Sequence, residues 1–98
     1  MLGNVKGKVT IITGSASGIG MAMAYKFAEA GSVIVIADLN LDAAILVAND
    51  IKNMHNVETF ALTMDVTNEK QVNDGVAAVV AKFGRVDCLI LRTTQTFI

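Results

Sequence analysis

The sequence predicts an α/β domain, with a parallel sheet of about four strands covered by helices on both faces in a three-layer αβα arrangement. Three observations predict it. Runs rich in β-branched residues alternate with runs of helical periodicity along the chain. The strand-like runs are apolar at consecutive positions, as strands covered on both faces must be. A glycine-rich turn joins the first strand to the first helix. Alternating strands and helices imply parallel strands joined by crossover helices. Right-handed crossovers then give the strand order 3-2-1-4.

The elements follow in order. Val9-Thr10-Ile11-Ile12-Thr13 is the first strand. Ile19 to Ala30, rich in Ala and Met, is the first helix, with Gly31 as its stop. Val33 to Ala37 is a second buried strand, ending in Asp38. Leu41, Ala44, Ile45, Ala48 and Ile51 mark one face of a second helix reaching about Lys52. Phe60 to Met64 is a third strand, ending at Asp65. Thr67 or Asn68 caps a third helix, whose core face is Val72, Val76, Val79, Val80 and Phe83, and Gly84 stops it. Val86 to Leu91 is the fourth strand.

Composition narrows the function classes. With 98 residues the chain is at most one small domain. A hydrophobic content of 53% against 17% charged residues excludes a disordered chain. A net charge of −1 gives no electrostatic footprint for nucleic acid. The longest apolar runs, Val33 to Ala37 and Gly75 to Ala81, fall far short of the ~20 residues that span a bilayer, so no membrane span is expected. No apolar stretch follows the first charges, so no secretory leader is expected either. Cys88 is the single cysteine and is read as a small buried hydrophobe. A reducing, cytoplasmic setting fits it. The mean hydropathy of +0.54 is high for so short a chain. It predicts a truncated sheet that something else should cover.

The chemistry is concentrated in Thr13-Gly14-Ser15-Ala16-Ser17-Gly18-Ile19-Gly20. A helix N-terminus carries unpaired N–H groups and a partial positive charge, and both favour a pyrophosphate. Glycine lets the backbone turn sharply and approach the phosphates. The spacing is G-x-x-x-G-x-G, with no Lys-Ser/Thr behind it, so it is not a P-loop. Asp38 ends the second strand about 18 residues after Gly20, where an acidic residue takes ribose hydroxyls. A carboxylate there accepts from a free 2′-OH and repels a 2′-phosphate. NAD is therefore favoured over NADP. A glycine turn without a ligand and an Asp38 that merely ends a strand are the plain alternatives.

These residues resemble the cofactor signature of the short-chain dehydrogenase/reductase family, the N-terminal part of a Rossmann-type fold. The resemblance extends to Asp65-Val66-Thr67, similar to the family's adenine-contacting element, and to Phe83-Gly84-Arg85-Val86-Asp87-Cys88-Leu89-Ile90, similar to its passage into the fourth strand. Within the family the sequence resembles 3-oxoacyl carrier-protein reductases, 3-hydroxybutyrate dehydrogenases and related sugar-alcohol dehydrogenases alike. The resemblance implies cofactor contacts from Gly14, Ser15, Ser17, Gly18, Ile19, Gly20, Asp38, Leu39, Asp65 and Val66. It also implies a hydride transfer between NAD(H) and an alcohol or ketone.

Residues 1–91 are read as a partial NAD-binding domain and 92–98 as a tail outside the family pattern. Where the family continues Asn-Asn-Ala-Gly, this chain has Leu91-Arg92-Thr93-Thr94. Codons exist for Arg92 to Thr96 that read Asn-Asn-Ala-Asp in a shifted frame, so a frame shift or aberrant splice is one expectation, which the coding DNA decides. The family's catalytic Ser and its Tyr-x-x-x-Lys motif have no counterpart. The single tyrosine, Tyr25, is followed four residues on by Glu29 and is read as a packing residue. His55 is read as a solvated loop residue. No catalytic residue and no metal ligand is assigned. Three functions remain open: a nucleotide-binding fragment inactive alone, an interaction fragment that self-associates or pairs with a full-length relative through its fourth-strand edge, and an oxidoreductase completed by a second chain.

Overall fold

In a computed structural model, which describes residues 4–91, four strands alternate with three helices. They are β1 (Val9–Thr13), α1 (Gly18–Glu29), β2 (Val33–Asp38), α2 (Leu41–His55), β3 (Thr59–Thr63), α3 (Glu69–Phe83) and β4 (Cys88–Ile90). The sheet is parallel, in the order β3-β2-β1-β4, as the crossover argument predicts. The register places Thr13 beside Ala37 and Asp38 beside Thr63. Residues 92–98, the expected tail, lie outside the described residues.

Alternation along β1 and β2 divides the core into two layers. Ile12, Ile34 and Ile36 face α1 and α2, where they meet Ala24, Ala28, Ala44, Val47, Ala48 and Ile51. Ile11, Val35 and Ala37 face the other way and meet Met64 and Val79. The small alanines let α1 and α2 lie close on the sheet. Each buried Ile contributes about 1.5–3 kcal/mol relative to leaving it exposed.

The termini of the helices follow from local chemistry. α1 ends in a Schellman motif: the Gly31 N–H donates to the Ala28 carbonyl (2.9 Å) and the Ser32 N–H to the Phe27 carbonyl (3.1 Å). Gly31 adopts φ +94°, which glycine allows without strain. α2 and α3 start at Asn40 and Asn68, whose side chains accept from the Ala43 and Gln71 N–H groups.

Several expected details differ. Val80 is 43% exposed and Ile45 is 42% exposed, while Val47 joins the core. Both exposed residues belong to the helical stripe but sit at its margin, where the sheet does not cover them. β4 is three residues long rather than the six from Val86 to Leu91, and Cys88 is half-buried rather than buried. β4 is the edge of the described sheet, so one flank of its side chains lacks a neighbouring strand. His55 closes α2 instead of lying in a loop. Its ring meets Tyr25 edge-on, with centroids 6.4 Å apart.

Candidate functional site

The carboxyl ends of β1, β2 and β3 bring the predicted residues to one edge of the sheet. Here the chain leaves β1 in one direction for β2 and later returns on the other side as β4. This is the reversal point at which open α/β sheets bind ligands. The Thr13 hydroxyl donates to the Ile90 carbonyl (3.3 Å) and ties the end of β1 to β4 across that point.

The glycine loop is shaped by backbone demands. Gly14 and Gly18 adopt φ +63° and +60°, the left-handed region that disfavours side chains. A Cβ on Gly18 would meet nothing, so the space beside it is open. Gly20 is different. A Cβ there would run into the Gly14 carbonyl oxygen and lie 3.1 Å from Ser15 Cα, so α1 can seat against the loop only with glycine at this position. The Ser15 side chain is buried and donates to the Ile12 carbonyl (2.6 Å). It holds the loop from beneath rather than facing outward. Ser17, Gly18 and Ile19 are exposed.

Ser17 is the N-cap of α1, but its side chain makes no capping hydrogen bond, and the first turn carries no acidic residue. The helix therefore presents its N–H groups and its positive end outward, beside the open space at Gly18. A pyrophosphate fits this cradle by charge and by hydrogen-bond sense.

Asp38 stands where β2 ends. Its Oδ2 accepts from the Ala16 N–H (3.1 Å) and its Oδ1 from the Asn40 N–H (3.1 Å). Its carbonyl accepts from the Met64 N–H (3.1 Å), which sets Asp65 at the same edge. Leu39 is 60% exposed and Ile19 66% exposed, two large apolar side chains left at the rim.

Asp65 and Val66 are half-buried. Asp65 Oδ1 accepts from the Thr67 hydroxyl (2.6 Å) and the Thr67 N–H (2.9 Å). These bonds, the hydroxyl first, hold its carboxyl below the usual carboxylate range. The Asp65 N–H donates to Gln71 Oε1 (2.9 Å), which fastens this turn to α3. The sequence reading has the third strand run from Phe60 to Met64 and end at Asp65; β3 is Thr59–Thr63, so Asp65 lies two residues past its end, in a network that reading did not anticipate. The Asp-x-Thr spacing was its available signal.

Asp87 is a structural residue that the sequence reading left unassigned. Its Oδ2 accepts from the Val9 N–H (2.8 Å), while its own N–H donates to the Val9 carbonyl (2.9 Å). The Arg85 guanidinium reaches its Oδ1 (2.6 Å) and, with Val9, holds the carboxyl below its ordinary value. Tyr25 lies away from the glycine loop, packed between α1 and α2, and its hydroxyl donates to Asp50. Burial, then the Asp50 hydrogen bond and charge, push its phenol up to about 12. Such a phenol stays protonated at neutral pH, in line with a packing role. Among the described residues, no cluster of side chains suits a metal ion. No described helix is long and apolar enough to cross a membrane.

Known proteins are similar to this chain in sequence and fold. The chain is 38% identical over 84 residues to the 7alpha-hydroxysteroid dehydrogenase of Escherichia coli (strain K12), covering 86% of this chain and 32% of the relative. It is 37% identical over 89 residues to a 3-oxoacyl-[acyl-carrier-protein] reductase of Thermotoga maritima, covering 88% and 35%. L-sorbose reductase from Gluconobacter frateurii, solved with NADPH and L-sorbose, superposes with a TM-score of 0.90 at 34% identity, over 97% of this chain and 36% of that one. An NAD+-bound xylitol dehydrogenase superposes with a TM-score of 0.81 at 35% identity, over 87% and 32%. The chain thus spans about a third of the length of these relatives. The family model for short chain dehydrogenases matches residues 8–96, nearly the whole sequence, and the chain belongs to that family.

Proposed function

We propose that this chain is the NAD-binding part of an oxidoreductase that moves a hydride between NAD(H) and an alcohol or ketone. The observation that carries the reading is the open N-terminus of α1 beside the Asp38 carboxylate. The α1 N–H groups and the loop from Gly14 to Gly20 would hold the pyrophosphate. Asp38 would accept from the adenosine ribose hydroxyls, and Asp65 and Val66 would border the adenine. Ser15 supports the loop, and Ser17, Ile19 and Leu39 line its exposed rim. The nicotinamide ring supplies or takes the hydride when the dinucleotide is bound.

Relatives of this fold are seen with NADPH and with NAD+. The preference for NAD rests on charge: a carboxylate at Asp38 repels a 2′-phosphate and pairs with a free 2′-OH. Calorimetric titration with NAD, ADP-ribose and NADP tests it. NAD and ADP-ribose should bind with similar affinity, and NADP more weakly. Absence of binding, or a preference for NADP, overturns the assignment.

The 98-residue chain by itself should not turn over an alcohol, because no Tyr-x-x-x-Lys pair is present in it. Activity of the purified chain with NAD and any alcohol would contradict this. A cytoplasmic setting accords with the single half-buried cysteine. The β4 edge favours a second role, pairing with another copy or with a full-length relative. Leu89 and Leu91 are exposed there, at 38% and 53%, and an edge that pairs with no further strand among the described residues invites one. Co-expression with a full-length family member and recovery of a defined complex would support it. Recovery of heterogeneous aggregate alone would end it.

A further inference from the structure

We propose that Asp38 positions the glycine loop as well as selecting the ribose, so that one carboxylate couples the two halves of adenosine diphosphate recognition. The inference deepens the nucleotide-binding reading, and its ligand arm rests on it.

Three connections meet at this residue. Oδ2 accepts from the Ala16 N–H in the middle of the glycine loop, and Oδ1 from the Asn40 N–H at the start of α2. The main-chain carbonyl accepts from the Met64 N–H, at the end of β3. The neighbouring Ala37 carbonyl also receives the Ser15 N–H, at 3.5 Å. The loop after β1 is thus fastened sideways to the end of β2, while Ser15 fastens it downward to Ile12.

A carboxylate has about four lone-pair sites. Two amide donors occupy one site on each oxygen, leaving one on each for a vicinal diol. The amides therefore fix the plane of the carboxylate that a ribose would meet. Conversely, the carboxylate fixes where the loop offers its N–H groups to a pyrophosphate. Hydrogen bonds to a charged acceptor are stronger than those to a neutral one.

The consequence is that recognition at the ribose and at the phosphates cannot be altered independently. Replacing Asp38 to admit a 2′-phosphate also releases Ala16. Asn40 offers the first helical turn of α2 a separate cap, so α2 itself should survive the change.

Two measurements test this on the full chain. The first needs no ligand. Amide hydrogen exchange at Ala16 should accelerate about tenfold in Asp38→Ala relative to Ile36 in the centre of β2, with Asp38→Asn intermediate because its amide oxygen still accepts one bond. Equal acceleration at Ala16 and Ile36 would indicate general destabilisation and overturn the proposal, as would no change at Ala16. The second compares ADP with 2′,3′-dideoxy-ADP, which has no ribose hydroxyls. Asp38→Ala should weaken the dideoxy compound about fivefold or more. If it weakens ADP and leaves the dideoxy compound unchanged, Asp38 acts on the ribose alone and the proposal fails. If the wild-type chain binds neither compound, the nucleotide reading fails, and the exchange arm alone decides the loop-positioning role.

Discussion

The N-terminus of α1 differs from those of α2 and α3, although all three helices leave the same edge of the sheet. α2 and α3 are closed by their own residues. Asn40 and Asn68 accept from N–H groups three residues on, at 3.1 Å each, and Asp42 and Glu69 add negative charge to the first turn. α1 has a serine that does not cap and no acid in its first turn. Capping and a first-turn carboxylate each stabilise a helix by up to about 1 kcal/mol. α1 forgoes both. The difference separates helices that are purely structural from one whose positive end is left available to an anion.

The largest effect should come from closing the space that α1 needs. Gly20→Ala puts a Cβ into the Gly14 carbonyl, a main-chain neighbour that cannot rotate aside. Overpacking of this kind costs about 1–3 kcal/mol. The thermal midpoint should fall and nucleotide binding should disappear; retention of both would refute the close seating of α1. Next comes Asn68→Ala, which removes a made cap and should cost about 1 kcal/mol, read as a shift in the urea midpoint. Ser17→Ala should change the same midpoint by less than about 0.5 kcal/mol. Equal costs at the two sites would erase the contrast between the helices.

Ser17→Asp sharpens it further. An aspartate should cap α1 and raise stability by about 0.5–1 kcal/mol, while its charge expels the pyrophosphate and weakens NAD binding. Gain in both properties would show that the α1 terminus is not the phosphate site.

The smallest effect is a pH dependence. Asp65 has a folded-state carboxyl below its ordinary value, held there first by the Thr67 hydroxyl and then by the Thr67 N–H. Its contribution is therefore complete above the ordinary carboxylate value and is lost as the pH falls through the depressed one. Asp65→Asn should flatten the acid limb of a stability profile there. An unchanged limb would mean that the turn ahead of α3 draws nothing from this charge.

The strands and helices were readable because their periodicities are local properties. Val9–Thr13 was recovered with its limits, since β-branched residues bounded by Lys8 and Gly14 leave little choice. Strand order followed from handedness. The extent of β4 did not follow. An apolar run from Val86 to Leu91 shows what could be buried, whereas the paired length depends on what β1 offers opposite it. Val80 and Ile45 were misplaced for a related reason, because a helical stripe does not reveal how wide a surface it meets. In the site, glycine spacing and Asp38 were legible as motif. The bond from Ala16 to Asp38 joins residues 22 apart and exists only because β1 and β2 lie side by side. No local pattern encodes it. Asp87 was hidden likewise, since its partner Val9 lies at the other end of the chain.

That last pairing bears on the order in which the protein takes shape during synthesis. Val9 and Asp87 are 78 residues apart. At about 5–20 residues per second, a ribosome needs roughly 4–16 s to deliver the second after the first. Meanwhile β1, α1, β2, α2 and β3 can already assemble from contacts between neighbours in sequence. For those seconds the outer flank of β1, later covered by β4, is a bare row of amides and carbonyls on the nascent chain. Asp87, which engages both the N–H and the carbonyl of Val9, closes that flank when it arrives.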